Sequence, residues 1–120
     1  MGDRALVLFK DNDCFSPVTY LHWNGSQVGA LLAEAAPRMR AGDANYASAR
    51  FTGTCHGHLD GGLSLGTFNS PEDGRPHSHG DAGVFVVDVH TGEVETYGGY
   101  GFGDSPPDLP LQFGKFSEGG

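Results

Sequence analysis

Residues 83–97 read GVFVVDVHTGEVETY, and the fold follows from how this stretch pairs. Gly83–His90 is rich in β-branched residues and alternates. Phe85, Val87 and Val89 share one face, and Val84, Val86, Asp88 and His90 share the other. Thr91-Gly92 supplies a turn, and Glu93–Tyr97 returns with Glu93 and Glu95 marking a solvent face. Two such runs around a tight Gly turn predict an antiparallel hairpin.

Upstream of this hairpin, Leu63–Asn69 has strand character and is followed by a polar loop, Ser70–Asp81. Before that, the period changes from two to 3.6. Ala44, Ala47, Phe51 and Cys55 recur at steps of three or four after Asp43, a good N-cap, so a helix is expected with Cys55 facing the core. Gly53 weakens this helix and Gly57 stops it. Val28, Leu31, Leu32, Ala35 and Met39 form an earlier apolar stripe. Asn24 is its expected N-cap, with Gln27 spaced as in a capping box. Pro37 should end or kink that helix near Ala36, leaving Arg38 and Arg40 near its negative end. At the start of the chain, Arg4–Lys10, the turn cluster Asp11-Asn12-Asp13 and Val18–Trp23 predict another hairpin, with Pro17 opening its second strand. Val18, Tyr20 and His22 share one face there; Thr19, Leu21 and Trp23 share the other.

The predicted class is α+β: an antiparallel sheet of about five strands in the order β-β-α-α-β-β-β, with a two-helix hairpin packed on one face. Past Tyr97 the composition shifts to Gly-Gly-Tyr-Gly-Phe-Gly and Asp-Ser-Pro-Pro. A single domain over 1–104 is expected, with a partly flexible Pro/Gly-rich arm over 105–120. Within that arm Asp108–Phe116 reads either as an edge strand or as an apolar arm over the core.

The 120 residues allow one modest core. Twenty glycines imply many tight turns, and the eight Phe, four Tyr and single Trp argue against disorder. Fifteen acids against seven bases give a net charge of −8, which opposes direct binding to nucleic acid or anionic lipid. The same charge serves solubility, or suits a protein partner with a basic surface. No apolar run reaches the ~20 residues of a membrane span, and the start of the chain lacks a signal-peptide pattern, so a cytoplasmic location is expected. In that compartment Cys14 and Cys55 are expected as free thiols.

Two stretches carry candidate chemistry. His56-x-His58-x-Asp60 and His77-x-His79-x-Asp81 repeat one pattern. In an extended chain each would offer two imidazoles and a carboxylate to a zinc-like ion. On a helix end, or in a solvated loop, the same residues diverge into water. The first copy resembles the opening of the metallo-β-lactamase motif but has Gly61 where that family has histidine. The chain is also too short for that fold, so no hydrolase activity is carried over.

The second stretch is Tyr20-Leu21-His22-Trp23-Asn24-Gly25. Here a strand gives way to a helix start, and Tyr20, His22, Trp23 and Asn24 form a candidate ligand corner in which Trp23 stacks on a planar group. The alternative is that Tyr20 and Trp23 anchor opposite faces and Asn24 caps the helix. This element resembles the Tyr-x-His-Trp-(Asp/Asn)-Gly element of small uncharacterised bacterial and phage proteins. The resemblance covers the first third of the chain, extends more loosely to the late hairpin, and implies no activity.

No nucleophile elbow, phosphate loop or EF-hand pattern is present. The leading expectation is a small acidic, non-enzymatic binding or inhibitor protein of phage or prophage origin. It would act against a host protein or sequester a ligand. A small zinc-dependent enzyme on the histidine segments and a nucleotide-sized ligand binder at the Tyr20–Gly25 corner are the alternatives.

Overall fold

The computed structural model describes residues 4–12, 14–22, 27–57, 65–68, 82–103 and 106–114. The chain forms β1 (Ala5–Asp11), β2 (Cys14–Phe15), β3 (Val18–Leu21), α1 (Val28–Ala35), α2 (Ala44–Gly57), β4 (Leu65–Phe68), β5 (Gly83–Asp88) and β6 (Val94–Tyr97). The sheet runs β4-β3-β1-β5-β6, with β2 pairing the end of β1. With β2 counted as the tip of the first hairpin, the element order is the predicted one.

Most of the sheet is antiparallel, as expected, but its central pair is not. β1 and β5 run parallel, from Ala5 opposite Gly83 to Lys10 opposite Asp88. The physical reason lies in β1 itself. Ala5, Leu6, Val7, Leu8 and Phe9 are all buried, so both faces of this strand are covered. A continuous apolar run of that kind suits the centre of a sheet, where parallel pairs are favoured. The first hairpin therefore joins the second through β1 and β5 rather than lying beside it as a separate ribbon.

The first hairpin contains a register shift. At its tip Lys10 pairs with Phe15 and Asp11 with Cys14, and Asn12 takes a left-handed φ of 57° that the tight turn requires. Further down, Val7 pairs with Thr19 and Ala5 with Leu21. One extra residue has entered the second strand, which is a β-bulge at Ser16-Pro17. Ser16 N–H donates to the Phe9 carbonyl at 2.8 Å, and the buried Ser16 hydroxyl accepts from Phe9 N–H at 3.0 Å. A side-chain oxygen thus stands in for a ladder carbonyl. Ser16→Ala should strand a buried N–H and cost about 1–3 kcal/mol, read as a shift in the urea midpoint at unchanged m-value.

Both helices pack on one face. Val28, Leu31, Leu32, Ala35 and Met39 are buried as their spacing predicts, and so are Ala44, Ala47, Phe51 and Cys55 of α2. They meet Ala5, Val7 and Phe9 of β1, Leu21 of β3, and Phe85 and Val87 of β5. Pro37 acts as expected: α1 ends at Ala35 and Ala36–Arg38 form a 3₁₀ turn. Asp43 caps α2 by accepting from Tyr46 N–H at 3.1 Å. At α1 the cap position is Gln27 rather than the expected Asn24, because the helix opens only at Val28, and Gln27 makes no side-chain capping bond; Asn24 lies outside the described residues. Under α2, the buried Thr19 hydroxyl bonds Thr52 at 3.0 Å, so its burial leaves no orphaned oxygen.

Strand β5 ends at Asp88, two residues before the predicted His90. The Asp88 side chain turns the chain by accepting from the N–H groups of His90, at 2.8 Å, and Thr91, at 3.3 Å. His90 then reaches across to the first hairpin, with Nε2 2.6 Å from Asp11 Oδ1. Residues 106–114 make no strand beyond a single bridge from Gly114 to Arg40. Leu111 is buried in the main core and its N–H donates to the Gly92 carbonyl at 2.8 Å. Among the described residues, no helix is long and apolar enough to cross a membrane.

Candidate binding surface

The face of the sheet opposite the helices can be assembled row by row from the strand registers. In the first row Tyr20 pairs with Leu6, Leu6 with Val84, and Val84 with Tyr97. In the second, Leu8 pairs with Val86 and Val86 with Glu95. In the third, Phe15 pairs with Lys10 and Lys10 with Asp88. Period-two alternation puts every one of these side chains on the same face. Leu6, Leu8 and Val18 are buried there, with Tyr20, Val84 and Val86 half-buried against them.

The middle of this face is a concavity of about 440 Å³ whose lining includes Leu8, Val84, Val86, Phe15 and Tyr97. Phe15 is 56% exposed and Tyr97 52% exposed, so two aromatic rings stand at opposite corners of an apolar floor. Exposed aromatics beside an apolar depression are the composition of interface anchors. Lys10 and Glu95 line the same depression, and an adjoining smaller hollow adds Asp88 and Glu93. The charged rim therefore holds three carboxylates against one ammonium. Tyr97 donates its hydroxyl to Glu95 at 2.7 Å, and this bond holds the phenol pKa above its usual value.

The predicted ligand corner is divided. Tyr20 and His22 come together: the Tyr20 hydroxyl meets His22 Nδ1, and their rings pack edge-to-face at 5.9 Å. Trp23 and Asn24 lie outside the described residues. Of the six predicted metal ligands, His56 is exposed in the last turn of α2, while His58, Asp60, His77, His79 and Asp81 lie outside the described residues. Among the described residues no three His, Cys, Asp or Glu side chains gather as a metal site. His56 lines an open groove of about 670 Å³ with Asn45, Ser48, Thr52, Pro17 and Thr67, between α2 and the β3–β4 edge.

The thiols are both free, Cys14 exposed and Cys55 buried. Burial pushes the Cys55 thiol up to about 12, with the Glu34 charge adding to the effect. A thiol so shifted is a poor nucleophile.

The alternation of the sequence places Val84 and Val86 on a shared face but does not join them to Phe15 and Tyr97. The available signal was the apolar character of both faces of Ala5–Phe9, which requires that the second face also be built from apolar neighbours. Compared with protein-family models, curated proteins and solved structures, the chain matches none.

Proposed function

We propose that this protein acts by binding rather than by catalysis, as a small inhibitor-type domain for a protein partner with a basic surface. The observation that carries the reading is the pair of exposed rings, Phe15 and Tyr97, flanking the apolar floor of Leu8, Val84 and Val86. The occupant is a protein segment with one apolar or aromatic anchor flanked by Lys or Arg. The anchor fills the depression, and the flanking cations face Asp88, Glu93 and Glu95. The net charge of −8 speeds the encounter with such a segment and adds salt dependence.

Selection from a random displayed-peptide library tests this directly. Peptides with an apolar anchor beside basic residues should be enriched. The Phe15→Ala/Tyr97→Ala double variant should bind them at least about 30-fold more weakly, the scale of a lost aromatic hot spot. Both rings are half exposed, so the melting temperature should barely move. Failure to enrich such peptides, or enrichment indifferent to the double variant, would overturn the proposal.

A further inference from the structure

Five of the seven basic residues lie in the described parts of the chain, and three of these, Arg38, Arg40 and Arg50, gather where the α1–α2 connection passes over α2. Tyr46, Arg50 and Thr54 stand one turn apart on α2 and so share a face. Arg38 Nη1 reaches Thr54 Oγ1 at 3.5 Å. The Arg40 guanidinium carbon lies 4.4 Å from the Tyr46 ring centroid, and that of Arg50 lies 4.8 Å from it. The two guanidinium groups are therefore held within about 9 Å of each other by one aromatic ring.

Neither group has a carboxylate partner among the described residues, in a chain with more than twice as many acids as bases. Arg40 Nε is moreover buried with no hydrogen-bond partner. A buried donor of this kind is costly to leave unmade. Arg50 Nη2 donates to the Tyr46 hydroxyl at 2.6 Å, which leaves the hydroxyl's own proton available to another acceptor. Asp43, three residues before Tyr46, is engaged in capping α2 by accepting from Tyr46 N–H at 3.1 Å.

We infer that Arg40, Tyr46 and Arg50 form a binding site for a phosphate group carried by a small molecule. Two guanidinium forks present paired N–H donors that match phosphate oxygens, and the Tyr46 hydroxyl supplies one more donor. Tyr46 also lies in the first turn of α2, at the positive end of its dipole. A compact dianion relieves the repulsion between the two arginines. A long polyanion would gain the same contacts but meet the negative field of the remaining surface.

The test is a titration of the full chain with inorganic phosphate and, separately, with phenyl phosphate, following the arginine Nε–H resonances by NMR. Saturable shifts at Arg40 and Arg50 are expected with both probes. Affinity for phenyl phosphate should rise as pH passes its second ionisation at about 6, because the arginines stay charged throughout. Arg50→Gln, an exposed change that leaves the core intact, should weaken binding about tenfold or more, and Arg50→Lys should recover only part of it. A tighter fit for phenyl phosphate than for inorganic phosphate would assign the ligand as a phosphomonoester, and the reverse would overturn a phosphate carried by a small molecule. Shifts that never saturate, or that are unchanged in Arg50→Gln, would overturn the site. So would a single-stranded oligonucleotide without terminal phosphate that binds more tightly than both probes.

Discussion

Phe51→Ala should be the most damaging single truncation in this protein, lowering stability by about 3–5 kcal/mol. Phe51 is fully buried on α2 and meets Phe9 of β1 edge-to-face, with ring centroids 5.9 Å apart. It is thus the largest α2 side chain packed between the helical layer and the sheet's central strand. Removing the ring loses its transfer energy, its aromatic contact and the packing of every neighbour left facing the cavity. The helix cannot simply settle inward, because Ala47 and Cys55 already sit against the core one turn to either side. A domain of this size has roughly 5–15 kcal/mol in total, so the loss is a large share of it. Thermal unfolding followed by circular dichroism should show a midpoint lowered by roughly 15–30 °C. A fall of only a few degrees would mean that the two layers are joined more broadly than this contact implies.

Gly83→Ala should come next, through the backbone rather than the core. Gly83 opens β5 with φ of +103°, a region that side chains of L-residues rarely enter. A Cβ at this position would stand 2.2 Å from the Tyr97 carbonyl oxygen and 2.8 Å from Gly99 N. Both are main-chain atoms of the paired β6 strand and its exit, so no side chain can swing aside. The pair Val84–Tyr97 must open, or Gly83 must leave its register with Ala5. Backbone strain and overpacking together predict a cost of about 3 kcal/mol or more. The decisive measurement is hydrogen exchange. Amide protection should fall first along β5 and β6, while α1 and α2 keep theirs until global unfolding. Loss of protection spread evenly over the chain would point to a different origin.

The helical layer was legible because its signals are local. Val28, Leu31, Leu32 and Ala35 lie within one window, as do Asp43 and the stripe it introduces, and each occupies the expected place, while Met39 is buried from the extended chain just past the 3₁₀ turn. The late hairpin was legible for the same reason: Phe85, Val87 and Val89 are buried together. The parallel pairing of β1 with β5 was legible only in part: the unbroken apolar run Ala5–Phe9 marks a central strand covered on both faces, but its partner lies more than seventy residues away and no local pattern names it. The bulge was not legible, because there a hydroxyl replaces a carbonyl and changes register without changing composition. The proposed surface was hidden more deeply. Phe15 and Tyr97 become neighbours of one depression only after three strand registers are set in sequence, and pairing over such separations is a property of the whole chain. Of the candidate corner, the contact between Tyr20 and His22 emerged from residues two apart on one strand face, which the alternation does contain.

The parallel centre of the sheet also sets an order of events in time. Ala5–Asp11 is synthesised well before its principal partner, Gly83–Asp88, which comes more than seventy residues later. Closing so wide a loop is slow, and the entropy is spent before the contact repays it. Until then one edge of the most apolar strand stays open to any other strand that passes. The early hairpin and the two helices can shelter one flank of β1, but the other waits for β5. Assembly of this domain therefore turns on how long Ala5–Phe9 remains without its second neighbour, and on what it meets in that interval.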